Sequence, residues 1–142
     1  MTISIPNTAG AVRAQLQNAV DLERIAHAGG AADARATVEG NVTRVVRTIE
    51  APAAGRAYLK SDSIEVVEER RWMQTGAEVT VTVTGFDISM QGNITLEDHA
   101  INCVLHYSGT VQAHIGVASP LAEGIIKDRL LEAIKAECES LY

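Results

Sequence analysis

Two charged residues stand where an alternating segment calls for apolar ones. In the run from Ser63 to Met73, Glu68 and Arg70 share the parity of Ile64, Val66 and Trp72, so the alternation directs them to the dry face of a strand. Burying charge is costly unless it is paired. An inward carboxylate and guanidinium would orient the polar end of a bound molecule or move a proton. A bulge or register change that turns both side chains outward is the alternative.

The same question arises near the C-terminus, where Glu123, Arg129 and Glu137 fall at or inside the edges of an apolar helical stripe. An arginine there can grip a carboxylate or phosphate bidentately. Otherwise the three flank the stripe and salt-bridge to a sheet rim. An inward Arg70 or Arg129 with no carboxylate partner in the protein would favour an anionic ligand. Tyr58, Trp72 and Tyr107 can line a pocket or anchor packing, and Gly109, two residues beyond Tyr107, allows a strand to bend. His106 and His114 share a parity but lie eight residues apart, roughly 26 Å along an extended strand, too far to share an ion. His27 and His99 fall at a helix end and in a turn. With no nucleophile elbow, phosphate loop or paired-cysteine motif, the sequence assigns no catalytic residue, metal or cofactor.

The elements that must position these residues follow from periodicity. Ile3 and Ile5 mark a short strand that Pro6 stops. Asn7 or Thr8 caps a helix carrying Val12, Leu16 and Ala19. Asp21 offers a second cap ahead of Leu22, Ile25 and Ala26, and Gly29-Gly30 ends that helix. From residue 33 the period becomes two, which predicts strands over Ala34–Glu39, Val42–Glu50, Ser63–Met73, Glu78–Gly85, Ile88–Leu96 and Ile101–Ile115. Their short links, among them Gly40-Asn41, Thr75-Gly76 and Gly85-Phe86-Asp87, predict sequential antiparallel hairpins. Val81, Met90 and Tyr107 fall on the dry side. Ser119-Pro120 opens a helix reaching about Leu141, with Ala122, Ile126, Leu130, Ala133, Ile134 and Leu141 on one broad face.

The whole chain has 142 residues, 46% of them hydrophobic but only 4% aromatic. With the strand and helix order above, that predicts one soluble α+β domain whose small side chains either pack closely or wall a space. No apolar run approaches the ~20 residues of a membrane-spanning helix, and the first residues lack a signal-peptide pattern, so a cytoplasmic location is the expectation. The formal charge of -6 argues against nucleic acid as a partner. Six arginines between residues 35 and 71, Arg47 and Arg70 included, read as a solvated, salt-paired face. Cys103 and Cys138 read as small apolar residues, and the sequence is compatible with a homodimer.

Strand, helix pair, six strands in hairpin succession and one long helix is an order that resembles the START-like (SRPBCC, helix-grip) superfamily. The segments VEGNVTRVVR (38–47), VVEERRW (66–72) and GFDISMQG (85–92), with Pro120-Leu121-Ala122-Glu123-Gly124, further resemble an uncharacterised bacterial family within it. The resemblance implies a seven-stranded curved antiparallel sheet wrapped around the C-terminal helix, with a hydrophobic cavity between them. The expected function is binding or carriage of a small hydrophobic ligand such as a lipid, isoprenoid or polyketide. Glu68, Arg70, Trp72, Val81, Met90, Tyr107, Ile126, Arg129 and Leu130 are its candidate contacts. A polyketide cyclase or aromatase using Glu68, Arg70, Tyr107 or Arg129, and a protein-interaction module without a ligand, are the alternatives.

Overall fold

The computed structural model describes residues 1–51, 62–84, 88–113 and 119–142, except the side chains of 113, 119–123 and 126. Seven strands form one antiparallel sheet: β1 (Thr2–Ile5), β2 (Asp33–Glu39), β3 (Val42–Glu50), β4 (Ser63–Trp72), β5 (Gly76–Val83), β6 (Ile88–Asp98) and β7 (Cys103–Ala113). Spatially they run β1-β7-β6-β5-β4-β3-β2, so every link from β2 to β7 is a neighbour-to-neighbour return and β1 adds to the far edge beside β7. Among the described residues, three helices accompany the sheet in this α+β fold: α1 (Ala9–Leu16), α2 (Ala19–Ala28) and α3 (Ser119–Glu139).

Alternation explains which way the curved sheet faces. On β5, Ala77, Val79, Val81 and Val83 are buried, while Glu78, Thr80 and Thr82 are exposed. On β4 the buried set is Ile64, Val66, Glu68, Arg70 and Trp72. The two charges therefore continue the dry parity without a bulge, in register with Val45 and Thr43 on one side and Val81 and Val79 on the other. Gly40, at φ 60, makes the β2–β3 return with Asn41. That backbone region favours glycine.

The helices cover the dry face. Thr8 caps α1, accepting from the Ala11 N–H. The α2 cap is Asn18, one turn earlier than the expected Asp21, because the Asn18 side chain accepts from the Asp21 N–H and leaves Asp21 in the first turn. Among the described side chains of α3, Leu130, Ala133, Ile134, Glu137 and Cys138 are buried, with Leu141 just beyond. That is a stripe of three- and four-residue steps. Gly29 lets α2 and α3 touch: a Cβ there would stand 2.4 Å from the Glu137 Cγ and 3.0 Å from the Ala133 carbonyl oxygen. The expected turn at Gly85-Phe86-Asp87 and the strand end at His114 and Ile115 lie outside the described residues.

Candidate functional site

The charges of the dry face meet under α3. Arg47 on β3 and Arg70 on β4 each donate to one carboxylate oxygen, Glu68 Oε1, at 2.9 and 3.1 Å. The Tyr107 hydroxyl, reaching across from β7, donates to Oε2 at 2.8 Å. From above, Glu137 of α3 brings Oε1 to 3.0 Å from Arg47 Nε. That pair is close but misaligned: among the described residues neither atom makes a hydrogen bond with good geometry, so it is an ion pair by proximity. Every side chain in the group is at least nine-tenths buried.

This surrounding sets each proton affinity. Burial pushes the Glu68 carboxyl up, but Arg70, Arg47 and the hydrogen bonds from Arg47 and Tyr107 overcome it and hold the group at about 2. Glu68 is therefore a fixed carboxylate. Burial raises the Glu137 carboxyl, and nearby Glu68 adds to the effect while Arg47 opposes it. Tyr107 is raised well above an ordinary phenol by burial and by the Glu68 charge. Burial also lifts the Cys138 thiol to about 12, leaving it a neutral packing group.

Beside this group a half-open cleft of about 390 Å³ lies between β6, β7 and α3. Its walls are Met90, Tyr107, Val111, Leu131 and Ile134, with Met1, Ser108, Gly109, Thr110 and Lys127 around them. Tyr107 belongs to both features, since it lines the cleft and ends on Glu68. A larger hollow of about 650 Å³ opens on the wet face, among Glu78, Thr80, Gln91, Asn93 and Gln112. It is separate from the buried group.

The candidate contacts divide accordingly. Glu68, Arg70 and Tyr107 converge, so the outward alternative for the first two does not hold. Met90 reaches the cleft with Tyr107. Val81 and Leu130 are core residues. Trp72 is tied elsewhere, donating to the Thr43 hydroxyl at 3.2 Å beneath the Arg13 guanidinium. Arg129 sits at the rim, its Nε 3.4 Å from the Glu50 carbonyl oxygen. The side chains of Ile126 and Glu123, and all of Tyr58, lie outside the described residues. Arg47 corrects the reading of residues 35 to 71 as a wholly solvated basic face: it and Arg70 are buried. Its signal was present, because Arg47 shares the parity of Thr43, Val45 and Ile49. Glu137 likewise belongs to the interior and not to a flank.

A family model described as "Protein of unknown function (DUF2505)" matches residues 2–141. The chain belongs to that family. No curated protein matches it. Among solved structures, the protein TTHA0849 from Thermus thermophilus is similar with a TM-score of 0.71 at 14% identity, covering 98% of this chain and 90% of that one. A conserved protein from Geobacillus kaustophilus is similar with a TM-score of 0.60 at 15% identity, covering 99% and 95%. At these identities the DUF2505 chain shares a fold with both, and a shared fold does not assign a function.

Proposed function

We propose that this DUF2505 protein binds and carries a small hydrophobic molecule in the cleft between β6, β7 and α3, within a START-like, helix-grip architecture. One observation carries the reading: a cleft with apolar walls has, as one wall, a tyrosine fixed to a buried charged group. A volume of about 390 Å³ falls in the range of roughly 300–1,000 Å³ usual for small-molecule sites. Such sites pair apolar walls with a few fixed polar groups, and Met90, Val111, Leu131 and Ile134 together with Tyr107, its hydroxyl held on Glu68, supply that combination here. Native mass spectrometry of gently purified protein, with solvent extraction of its contents, tests the reading. A bound apolar compound, or a rise in melting temperature with added fatty acids or polyketide-like aromatics, is the expected result. An empty protein whose melting temperature responds to none of them would refute it.

A cyclase-type enzyme is the second reading, favoured by the convergence of Glu68, Arg70 and Tyr107. Glu68, held at about 2 and accepting three hydrogen bonds, is unsuited to donate a proton. Glu137, raised by burial, is the group in the cluster suited to carry one. Ring closure of a linear polyketone, lost in Glu137→Gln, would support this reading.

A further inference from the structure

We propose that the molecule held in the cleft is a single-chain carboxylic acid, lying tail inward with its carboxylate at the mouth against the Lys127 ammonium. This inference rests on the ligand-binding reading above and names the class of ligand and its orientation.

The walls of the cleft grade from dry to wet. Met90, Tyr107 and Ile134 are buried, whereas Leu131 is 48% exposed and Lys127 lies at the surface. On α3 the gradient follows one side of the helix, because Lys127, Leu131 and Ile134 succeed one another in steps of four and three. At ~1.5 Å per residue, Lys127 and Ile134 stand roughly 10 Å apart along the axis. The extended tail of a medium-chain fatty acid is of about this length. Leu131, a large apolar side chain left half in solvent, is what such a tail would cover.

The side chains at the two ends decide where the head group goes. At the inner end the Tyr107 hydroxyl gives its one proton to Glu68, and the Met90 and Ile134 side chains have no N–H or O–H to give. A polar head placed there would lose its water without a hydrogen bond in return. At the outer end Lys127 is the single charged side chain among the described residues that line the cleft. Among the described residues it is paired with no carboxylate. The other lysine of α3, Lys135, stands 3.9 Å from Glu139 and does not line the cleft. One ammonium balances one negative charge. That suits a carboxylate better than a phosphate monoester, which carries about −1.5 to −2 at neutral pH.

The test compares decanoate, decan-1-ol and decyltrimethylammonium, equal in chain length and different in head-group charge, binding to the intact protein. Calorimetry at neutral pH and low ionic strength, where surface ion pairs are least screened, reads the three affinities. Decanoate is expected to bind about three- to fivefold more tightly than the alcohol, the scale of an exposed ion pair, and the cation more weakly than either. Lys127→Gln is expected to remove the preference for decanoate, and Lys135→Gln, on the same helix but outside the cleft, to keep it. Equal affinities of the unmodified protein for the three, or a preference that survives Lys127→Gln, would overturn the carboxylate assignment and leave the cleft reading standing. Binding of none would overturn both. Lys127 lies at the surface, so its replacement leaves the core intact.

Discussion

Glu68 is the residue on which the interior charges depend, and its substitution should show it. Replacing it with Gln leaves two buried guanidinium groups facing a neutral amide. Removing one partner of a buried pair costs about 3–5 kcal/mol, and urea unfolding of Glu68→Gln should register a loss of that order. Tyr107→Phe removes one donor from the same carboxylate and should cost about 1–3 kcal/mol. The pH dependences of the two carboxylates run in opposite directions. Glu68, lowered in the folded state, contributes stability above its ordinary value of 4.5 that is lost as pH falls toward about 2. Glu137, raised in the folded state, makes the fold lose stability as pH climbs from 4.5 through its folded value, because the unfolded chain releases that proton first. Urea titrations across that range should find Glu137→Gln gaining on the unmodified protein as pH rises. Arg47 could be placed inside from its parity with Val45 and Ile49. That it meets Glu137 could not, since the pairing depends on how α3 lies across the sheet.

At the scale of elements, the strands were legible because half-buried antiparallel strands write their faces into a period of two. Val79, Val81 and Val83 against Thr80 and Thr82 leave one register choice. Ends were less clear: β6 extends to Asp98, where the Asp98 carboxylate accepts from the Ala9 N–H and so binds strand to helix start, a contact with no local signature. The α2 cap fell on Asn18 because both Asn18 and Asp21 are good caps and only geometry selects between them. The close approach of α2 to α3 at Gly29 looks in sequence like an ordinary helix stop. Gly29→Ala should force Glu137 and the Ala133 carbonyl aside and cost about 1–3 kcal/mol by overpacking. Thermal unfolding would detect it, and a nearly unchanged midpoint would mean that α2 and α3 are not held at this distance.

For the whole molecule, the helices share the cover of the dry face, α2 over β2 and β3 and α3 toward β7 and β1, with a cleft between β6, β7 and α3. The sequence made the cover and the dry face visible but not the cleft, because residual space depends on sheet curvature and helix tilt. The buried charged group and the cleft meet at Tyr107, and in the proposed function they serve as one binding site. A methyl-resolved NMR titration of the intact protein with decanoate reads that union residue by residue. The expected result is saturable shifts concentrated on the methyl groups of Met90, Val111, Leu131 and Ile134. Unchanged spectra, or shifts confined to the wet-face hollow and read at the Thr80 methyl group, would contradict it.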